Sequence, residues 1–591
     1  MKSVRILWNY MKNNRLLYLG ALLSVGLASL AAVTGPVVIR ITIDSIIGNE
    51  PLAVPLLIRT FVENIGQAFW IPGIVLVIIT TFRGLFMFLR GRLASQASEN
   101  IAKNIRDRIY NHIQHLPYRY HKGADTGDLM QRCTSDVETI RRFLGVQMVE
   151  VGNALFMVFF ITTVMLRSNL RMTMISLIVI PILFTFAVIF FLKVKKAFRE
   201  ADEAEAELTT VLQENLTGIR VVRAFANQPY EIDRFDAKNR VNRDRVYHLI
   251  WLLACYWSAS DLMALLQIGL VLVSGAYFTA QGEITMGTMV LFSTYIGMLV
   301  WPVRQLGRIL TDMGKALVAV ERLQHVFDEP REELQENFEQ PPIVGNIVFD
   351  NVSFGYEPGQ LVLENLSFTA QAGQTIALLG HTGSGKSSLV HLLARLYEYQ
   401  DGSIQIDGVE LNTIDKRWIR QNVAVVPQEP FLFAKTIREN ITLASGEVPD
   451  EELYAICQQA AIHEVILDFD RGYETLVGER GVSVSGGQRQ RMAIARALIT
   501  LSPILIFDDS LSAVDTETDV AIRNALEERG RKATTFLISH RVTSLSGADL
   551  ILVLDHGRIV QRGTHGELMA TAGPYRRIWD IQNTLVAEIR A

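Results

Sequence analysis

The chain has 591 residues, too many for one domain, and its 49% apolar content with a mean hydropathy of +0.22 is high for a soluble protein. A formal net charge of −4 argues against a nucleic acid partner, which would need a basic surface. Cys133, Cys255 and Cys457 lack metal-ligand spacing, so the cysteines indicate neither a zinc site nor a disulfide framework.

Long apolar stretches lie in the first half of the chain, and each approaches the ~20 residues that a helix needs to cross a bilayer. They cover residues 16–39, 69–89, 146–166, 172–192, 254–276 and 286–303. The first is expected to be a span rather than a cleaved signal peptide, because it is long and no A-x-A site follows it. We predict an all-α six-helix transmembrane domain over residues 1–327, an acidic, proline-flanked linker over 328–345 and a soluble domain over 346–591.

Basic residues predict how these spans are oriented. Cations cluster before the first span, after the second and after the fourth, whereas the loops on the other side are short and poor in cations. The clusters include Lys2, Arg5, Lys12, Arg15, Arg106, Arg108, Lys195 and Lys196. The positive-inside rule makes these segments cytoplasmic, although Arg167 and Arg171 in the third–fourth hairpin run against it. The N-terminus and the soluble domain are therefore expected in the cytoplasm.

The cytoplasmic segments after the second and fourth spans are predicted to be helical. "SENIAKNIRDRIYNHIQHL" and "EAELTTVLQENLTGIRVVRAF" place apolar residues at three- and four-residue spacing. Short turns follow, near "YHKGADTGDLMQR" and "NLTGIRVVRAFANQ". These turns are either ordinary helical hairpins or the points at which the soluble domain transmits its movements, and spacing alone leaves both interpretations open.

Two ionisable residues fall in the last two spans. Asp261 lies in "WSASDLMALLQ", and Arg304 follows Trp301 and Pro302. Charges at membrane depth are costly and normally face a cavity or a partner charge. Asp261 and Arg304 are therefore expected either to line a cavity or to pair structurally.

A phosphate-binding loop is predicted early in the soluble domain. "TIALLGHTGSGKSSLV" reads as an apolar strand, a G-x-x-x-x-G-K-S loop and an amphipathic helix. Glycines let the loop backbone approach phosphate, and its amides and the helix N-terminus supply donors. The residues predicted to bind nucleotide here are Gly380, His381, Thr382, Gly383, Ser384, Gly385, Lys386, Ser387 and Ser388. Lys386 would contact the β- and γ-phosphates, and the Ser387 hydroxyl would bind Mg²⁺.

"PILIFDDSLSAVD" predicts a buried strand that ends at two adjacent acids. Nucleotide hydrolases present a Mg²⁺ ligand in this way, so Asp508 is predicted to bind the metal. Asp509 stands where such enzymes usually carry the longer glutamate. Aspartate would fall short by ~1–1.5 Å, a misplacement that can cost ~10²-fold in rate.

Between these two elements, residues 484–488 read VSGGQ, close to the LSGGQ signature of ATP-binding-cassette (ABC) proteins. The whole soluble domain resembles that family, which implies an α/β P-loop ATPase that binds ATP and Mg²⁺. Tyr356 matches the aromatic residue that stacks on adenine, Gln428 the Q-loop and His540 the switch histidine. Residues 477–481 match the X-loop of exporters, and residues 512–515 match the D-loop.

The resemblance also implies roles for individual residues. Asp509, His540 and Gln428 would act in catalysis, and Ser387, Gln428 and Asp508 would bind Mg²⁺. The signature residues that would bind the nucleotide held by a partner chain are Ser485, Gly486, Gly487 and Gln488.

The membrane half is similar to ABCB-like (type IV) half-transporters, which carry six spans ahead of one nucleotide domain. "TGDLMQRCTSDV" and "LTGIRVVRAF" carry this similarity, which implies that the two cytoplasmic turns are coupling helices. Two chains must then pair, because each ATP lies between one chain's Walker A loop and the other's signature. "DDSLSAVD" resembles the chain of heterodimeric bacterial multidrug exporters that lacks the catalytic glutamate, so a partner that carries this glutamate is expected.

The expected function is ATP-driven export of amphipathic or hydrophobic small molecules across the cytoplasmic (inner) membrane of a bacterium. The chain would be an ABC-type ATPase whose own site is degenerate. One alternative is a homodimeric exporter of lipid or peptide that uses Asp509 as its catalytic carboxylate. Another is a regulatory or channel-like ABC protein, whereas six spans exclude a soluble ATPase of repair or translation.

Overall fold

The structure is a computed structural model that describes residues 2–47, 70–332, 338–478, 484–510 and 533–590, together with 518, 520–522 and 524. It contains two compact units. The first comprises Met1–His115 and Ala124–Pro330, and the second comprises Leu116–Gly123 and Arg331–Ala591. The segment 116–123, predicted to belong to the membrane domain, groups with the second unit.

The described part of the first unit is helical. Its helices are α1 (Lys2–Tyr10), α2 (Arg15–Ile41), α3 (Trp70–Gln114), α5 (Thr126–Gln131), α6 (Val137–Arg142), α7 (Met148–Ser168), α8 (Leu170–Leu177), α9 (Val179–Thr217), α10 (Ile219–Ala224), α11 (Gln228–Ala280) and α12 (Met286–Asp328), while α4 (Tyr118–Gly123) belongs to the second unit. At 45 residues, α3 is about 68 Å long, and at 53 residues α11 is about 80 Å long. Both greatly exceed the ~30 Å hydrocarbon thickness, so much of each continues outside the membrane.

Five helical segments among the described residues are long and apolar enough to cross a membrane, and a shorter apolar stretch begins α12. They are Lys12–Asp44, Trp70–Gln114, Thr126–Ser168, Leu170–Thr217, Gln228–Ala280 and the shorter Met286–Pro302. Each contains one of the six predicted apolar stretches or nearly all of it. The core of the unit includes Val33 and Tyr295, whose hydroxyl donates to the Val33 carbonyl at 2.7 Å.

The second unit carries two sheets. The strands are β1 (Ile347–Phe354), β2 (Leu363–Ala370), β3 (Thr375–Gly380), β4 (Asp401–Ile406), β5 (Val409–Glu410), β6 (Val423–Val426), β7 (Ile504–Asp508), β8 (Thr534–Ile538), β9 (Leu550–Asp555) and β10 (Arg558–Gly563). The first sheet is antiparallel, with the order β2-β1-β4-β5. The second has the order β10-β9-β3-β8-β7-β6 and is parallel except for β10.

Helices pack against the larger sheet, and its parallel strands are mainly apolar and largely buried, as expected where both faces are covered, whereas the edge strand β10 is polar and more exposed. The helices are α13 (Lys386–Leu393), α14 (Lys416–Asn422), α15 (Ile437–Ile441), α16 (Asp450–Gln459), α17 (His463–Leu467), α18 (Gly486–Leu498), α19 (Val542–Leu545), α20 (His565–Ala570) and α21 (Pro574–Arg590). Leu505 and Phe507 of β7 join the core that contains α18, whereas Ile504 and Ile506 join the core that contains α13 and the smaller sheet. The predicted fold class, a helical transmembrane domain followed by an α/β domain, is confirmed.

Candidate functional site

The predicted site residues follow four neighbouring parallel strands. The phosphate-binding loop follows β3, His540 follows β8, Asp508 ends β7 with Asp509 next to it, and Gln428 follows β6. The carboxyl ends of parallel strands meet at one sheet edge, which is where ligands bind in open α/β sheets. Sheet topology therefore brings residues that are far apart in sequence to the same edge.

The loop between β3 and α13 has the shape of a phosphate cradle. Gly385, immediately before α13, has a φ of +99°, and an added Cβ would lie 2.5 Å from Leu363 Cδ2. Only glycine combines this conformation with so close an approach. Because α13 begins directly after Gly385, its N-terminal amides and positive dipole end point toward the loop. This arrangement suits the phosphates of a nucleotide.

Lys386 lies within this cradle. Its side-chain Nζ donates to the carbonyl oxygens of Gly380 and His381, each at 2.8 Å, and the residue is 6% exposed. Burial lowers the pKa of Lys386, while the nearby carboxylates of Asp509 and Asp508 oppose that shift. The buried ammonium is thus held at the loop, as phosphate binding requires.

Ser387 and Asp508 fit a Mg²⁺ ion. The Ser387 hydroxyl donates to Asp508 Oδ1 across 3.0 Å, and two adjacent ligands of an octahedral Mg²⁺ at 2.0–2.1 Å would be about 2.9 Å apart. Burial raises the pKa of Asp508, although the Ser387 hydrogen bond and the cations nearby lower it. Both oxygens are of the hard type that Mg²⁺ prefers, so this pair could hold the ion with little movement.

Asp509 has a constrained backbone and is 8% exposed. Its φ is +46°, and its amide donates to the Ile538 carbonyl of β8 at 3.1 Å. Gln428 Nε2 lies 3.5 Å from Asp509 Oδ2, so the predicted Q-loop amide and the second acid are neighbours. His540 is exposed, and its carbonyl accepts from Gln582 Nε2 at 2.7 Å.

The predicted signature forms the N-terminus of α18. Ser485 Oγ accepts from the Gln488 amide at 3.2 Å, and Gln488 Oε1 accepts from the Ser485 amide at 2.8 Å, which is a capping box. Ser485 and Gly486 are exposed, and Gly487 is partly buried. A serine hydroxyl that accepts in the cap can still donate its hydrogen, so Ser485 remains able to bind a phosphate.

Tyr356 has more neighbours than the predicted stacking role suggests. Its hydroxyl lies 2.8 Å from Ser388 Oγ, and its ring packs edge-on against Tyr397, with centroids 5.0 Å apart. Lys122 of α4 places its Nζ 4.7 Å from the Tyr356 ring centroid, a cation–π contact. The ring predicted to stack on adenine therefore also contacts a cation from α4.

Some predicted segments lie outside the described residues: the D-loop sequence at 512–515, and most of the X-loop sequence at 477–481. A polar contact that the sequence reasoning missed is Gln490, 1% exposed, whose Nε2 lies 3.4 Å from the Pro427 carbonyl. This contact links α18, which carries the predicted signature at its N-terminus, to the residue before Gln428. Gln490 shares a helix face with the buried Ile494 and Leu498, and a polar residue on an apolar face is the signal that could have identified it.

In the first unit, Asp261 and Arg304 form an ion pair. Arg304 Nη1 lies 2.6 Å from Asp261 Oδ1, and the guanidinium lies 4.7 Å from the Trp257 ring centroid. The Arg304 side chain is 8% exposed, whereas that of Asp261 is 61% exposed. Arg304 is thus the partner charge of Asp261, and the exposed Asp261 carboxylate leaves one side of the ion pair accessible.

Comparisons with known proteins cover almost the whole chain. The family model described as "ABC transporter transmembrane region" matches residues 18–303, and the model described as "ABC transporter" matches residues 363–512. "Uncharacterized ABC transporter ATP-binding protein YknU" of Bacillus subtilis (strain 168) is 33% identical over 97% of this chain and 96% of its own length. "Putative multidrug export ATP-binding/permease protein YgaD" of the same strain is 32% identical over 90% of this chain and 94% of its own length. A solved structure described as a bacterial Atm1-family ABC exporter with ATP bound has a TM-score of 0.80 and 25% identity, covering 96% of this chain and 98% of that one.

Proposed function

The chain belongs to the ABC transporter family, and from that premise we propose that it is one half of a heterodimeric bacterial exporter. Family membership makes it a membrane-embedded, ATP-binding transport ATPase of the exporter type. The proposal adds three points: a second half-transporter as partner, hydrolysis mainly at the composite site that contains the partner's Walker motifs, and export of amphipathic or hydrophobic compounds from the cytoplasm.

We propose that this chain binds its nucleotide at the carboxyl edge of the larger sheet. Lys386 would hold the β- and γ-phosphates, and Ser387 and Asp508 would hold Mg²⁺, which screens the phosphate charge during hydrolysis. Ser485 and Gly486 are exposed at the start of α18, where an anion from outside the chain can reach the helix N-terminus. This exposure supports a site completed by a second chain.

The proposed difference in activity between the two composite ATP sites rests on Asp509, the residue after Asp508. Asp509 is one methylene shorter than glutamate, and its carboxylate could gain reach only by a shift of the backbone. Its amide is hydrogen bonded to Ile538 at 3.1 Å, which opposes such a shift. Aspartate also tolerates the φ of +46° better than glutamate. We infer that this site binds ATP but positions attacking water poorly.

The contacts of α4 support the interpretation of the first cytoplasmic turn as a coupling helix. Tyr118 packs edge-on against Tyr397 with centroids 5.6 Å apart, and Lys122 lies over Tyr356. Movement of the nucleotide domain would therefore carry α4 with it. ATP-driven pairing of two such domains would move the attached helices and favour outward opening, and hydrolysis would reset them.

One observation favours a homodimeric exporter as the second candidate. Gln428 Nε2 lies 3.5 Å from Asp509 Oδ2, so the carboxylate sits beside the predicted Q-loop and could orient water directly. In that function Asp509 is the catalytic carboxylate of two identical sites.

Affinity purification of the tagged chain from its own host distinguishes the two candidates. The heterodimer predicts a co-purified second half-transporter in equal amount, with glutamate after its Walker B aspartate. Recovery of this chain alone as a dimer that hydrolyses ATP would refute the heterodimer and favour the homodimer.

A further inference from the structure

The β9–β10 turn lies beside the start of the phosphate-binding loop. Gly380 of β3 pairs with Leu554 of β9, so the next residues of the two strands, His381 and Asp555, are neighbours. His381 Nε2 is 2.9 Å from Asp555 Oδ1, and His556 Nε2 is 3.9 Å from the same oxygen. One possible ligand atom from each of these three residues lies within 4.8 Å of the others.

The hydrogen bonds of His381 leave a place for a cation. Its Nδ1 lies 2.7 Å from the Thr382 carbonyl, which can only accept, so Nδ1 carries a hydrogen. In a neutral imidazole the Nε2 lone pair then faces the Asp555 carboxylate, another acceptor. A proton or a metal ion between them resolves this conflict. A ring N–H that donates to a backbone carbonyl, with the other ring nitrogen left for the metal, is the usual arrangement of a metal-binding histidine.

The turn is held in place before any ion binds. His556 and Gly557 have φ values of +45° and +76°, as in the two-residue type I′ turn of a hairpin. The Gly557 amide donates to the Ser384 carbonyl at 3.2 Å, which attaches the turn to the phosphate-binding loop. The side chains of His381, Asp555 and His556 are 50%, 48% and 87% exposed, so an ion can enter from solvent.

We propose that His381, Asp555 and His556 bind one divalent transition-metal ion of the Zn²⁺ class, at a site separate from the Ser387–Asp508 pair. Two imidazole nitrogens and a carboxylate suit Zn²⁺ and leave one position for water. Ligands at 2.0–2.1 Å in tetrahedral geometry are about 3.3 Å apart. The two imidazole distances to Asp555 Oδ1, 2.9 and 3.9 Å, must therefore change by roughly 0.4 and 0.6 Å, and the ligand nitrogens of His381 and His556, which lie within 4.8 Å of each other, must adjust to the same separation. Mg²⁺, which prefers oxygen ligands, would not compete strongly. The bound ion would tie the first residue of the loop to the hairpin.

Calorimetric titration of the purified, untagged transporter with Zn²⁺, in excess Mg²⁺ and without nucleotide, tests this site. The variants are Asp555→Asn and His556→Asn, because asparagine tolerates the positive φ of His556 and preserves the turn. Each should weaken Zn²⁺ binding at one site per chain by at least ~10–100-fold, the loss expected even for outer-shell changes. ATP binding measured in parallel should remain as in the wild type and shows that the variants are folded.

The matched control is His325→Gln, which removes an exposed histidine from the first unit and should leave Zn²⁺ binding unchanged. Substitution of Co²⁺ should give the visible absorption of a nitrogen- and oxygen-ligated ion, and this absorption should be lost in His556→Asn. Zn²⁺ binding that is absent from the wild type, or equal in the wild type and both variants, would overturn the proposal.

Discussion

Replacement of Lys386 by alanine should weaken ATP binding at this chain's own loop. In the G-x-x-x-x-G-K-S motif, the lysine ammonium binds the β- and γ-phosphates. Its loss should cost ~1.5–3 kcal/mol of binding free energy, the usual contribution of a hydrogen bond to a charged group. Since 1.4 kcal/mol is tenfold in affinity, the dissociation constant should rise about 10–150-fold. Gly380 and His381 also lose the donor to their carbonyl oxygens, which loosens the loop.

Chain-resolved labelling with a photoreactive ATP analogue measures this effect in the purified two-chain complex. Label on this chain should fall while label on the partner remains. Lys435→Ala is the matched control, because Lys435 is exposed in the same unit. Thermal unfolding without nucleotide separates a lost contact from a lost fold. Equal loss of label from both chains, or none from either, would refute the assignment of Lys386.

Substitutions at Ser387, Gly380 and Asp261 also have defined outcomes. Ser387→Ala should raise the Mg²⁺ concentration needed for ATP binding and Ser387→Thr should restore it, as measured by Mg²⁺ titration; equal behaviour would remove Ser387 from the metal site. Gly380→Ala should destabilise the fold by ~1–3 kcal/mol, because the added Cβ would lie 2.4 Å from the Leu554 carbonyl oxygen. The control Gly566→Ala should leave stability unchanged, because its Cβ would meet nothing within 4 Å. Equal melting temperatures for the two variants would contradict this packing. Asp261→Ala should lower the melting temperature more than Asp261→Asn, because asparagine keeps a hydrogen-bond acceptor for the buried Arg304. Asp261→Asn should also reduce export of cationic compounds more than export of neutral ones. An unchanged export profile would leave the Asp261–Arg304 pair a structural role.

Local patterns predicted those parts of the fold that depend on short stretches of sequence. The apolar run before Asp508 indicated a buried strand, and β7 is buried on both faces. The G-x-x-x-x-G-K-S spacing correctly predicted that Lys386 and Ser387 lie at the start of a helix. These features follow from side-chain periodicity and backbone restrictions that act over a few residues.

Contacts between distant segments could not be predicted in the same way. The pairing of His381 with Asp555 depends on the register of β3 against β9, which no local pattern specifies. The approach of Lys122 to Tyr356 depends on where α4 packs. Gln490 gave a weak local signal, but its partner Pro427 is set by the packing of α18 against β6. Non-local pairing is decided by the whole core, so it becomes visible only in the structure.

Steady-state ATPase activity of the two-chain complex tests the central claim of asymmetric hydrolysis most directly, through Asp509→Asn and Ser485→Ala in this chain. The account predicts that Asp509→Asn keeps most of the activity, because no effective base is lost. Ser485→Ala should reduce activity by ~10²-fold, the usual cost of removing one donor from developing charge. Loss of activity in Asp509→Asn as complete as in Ser485→Ala would contradict the account.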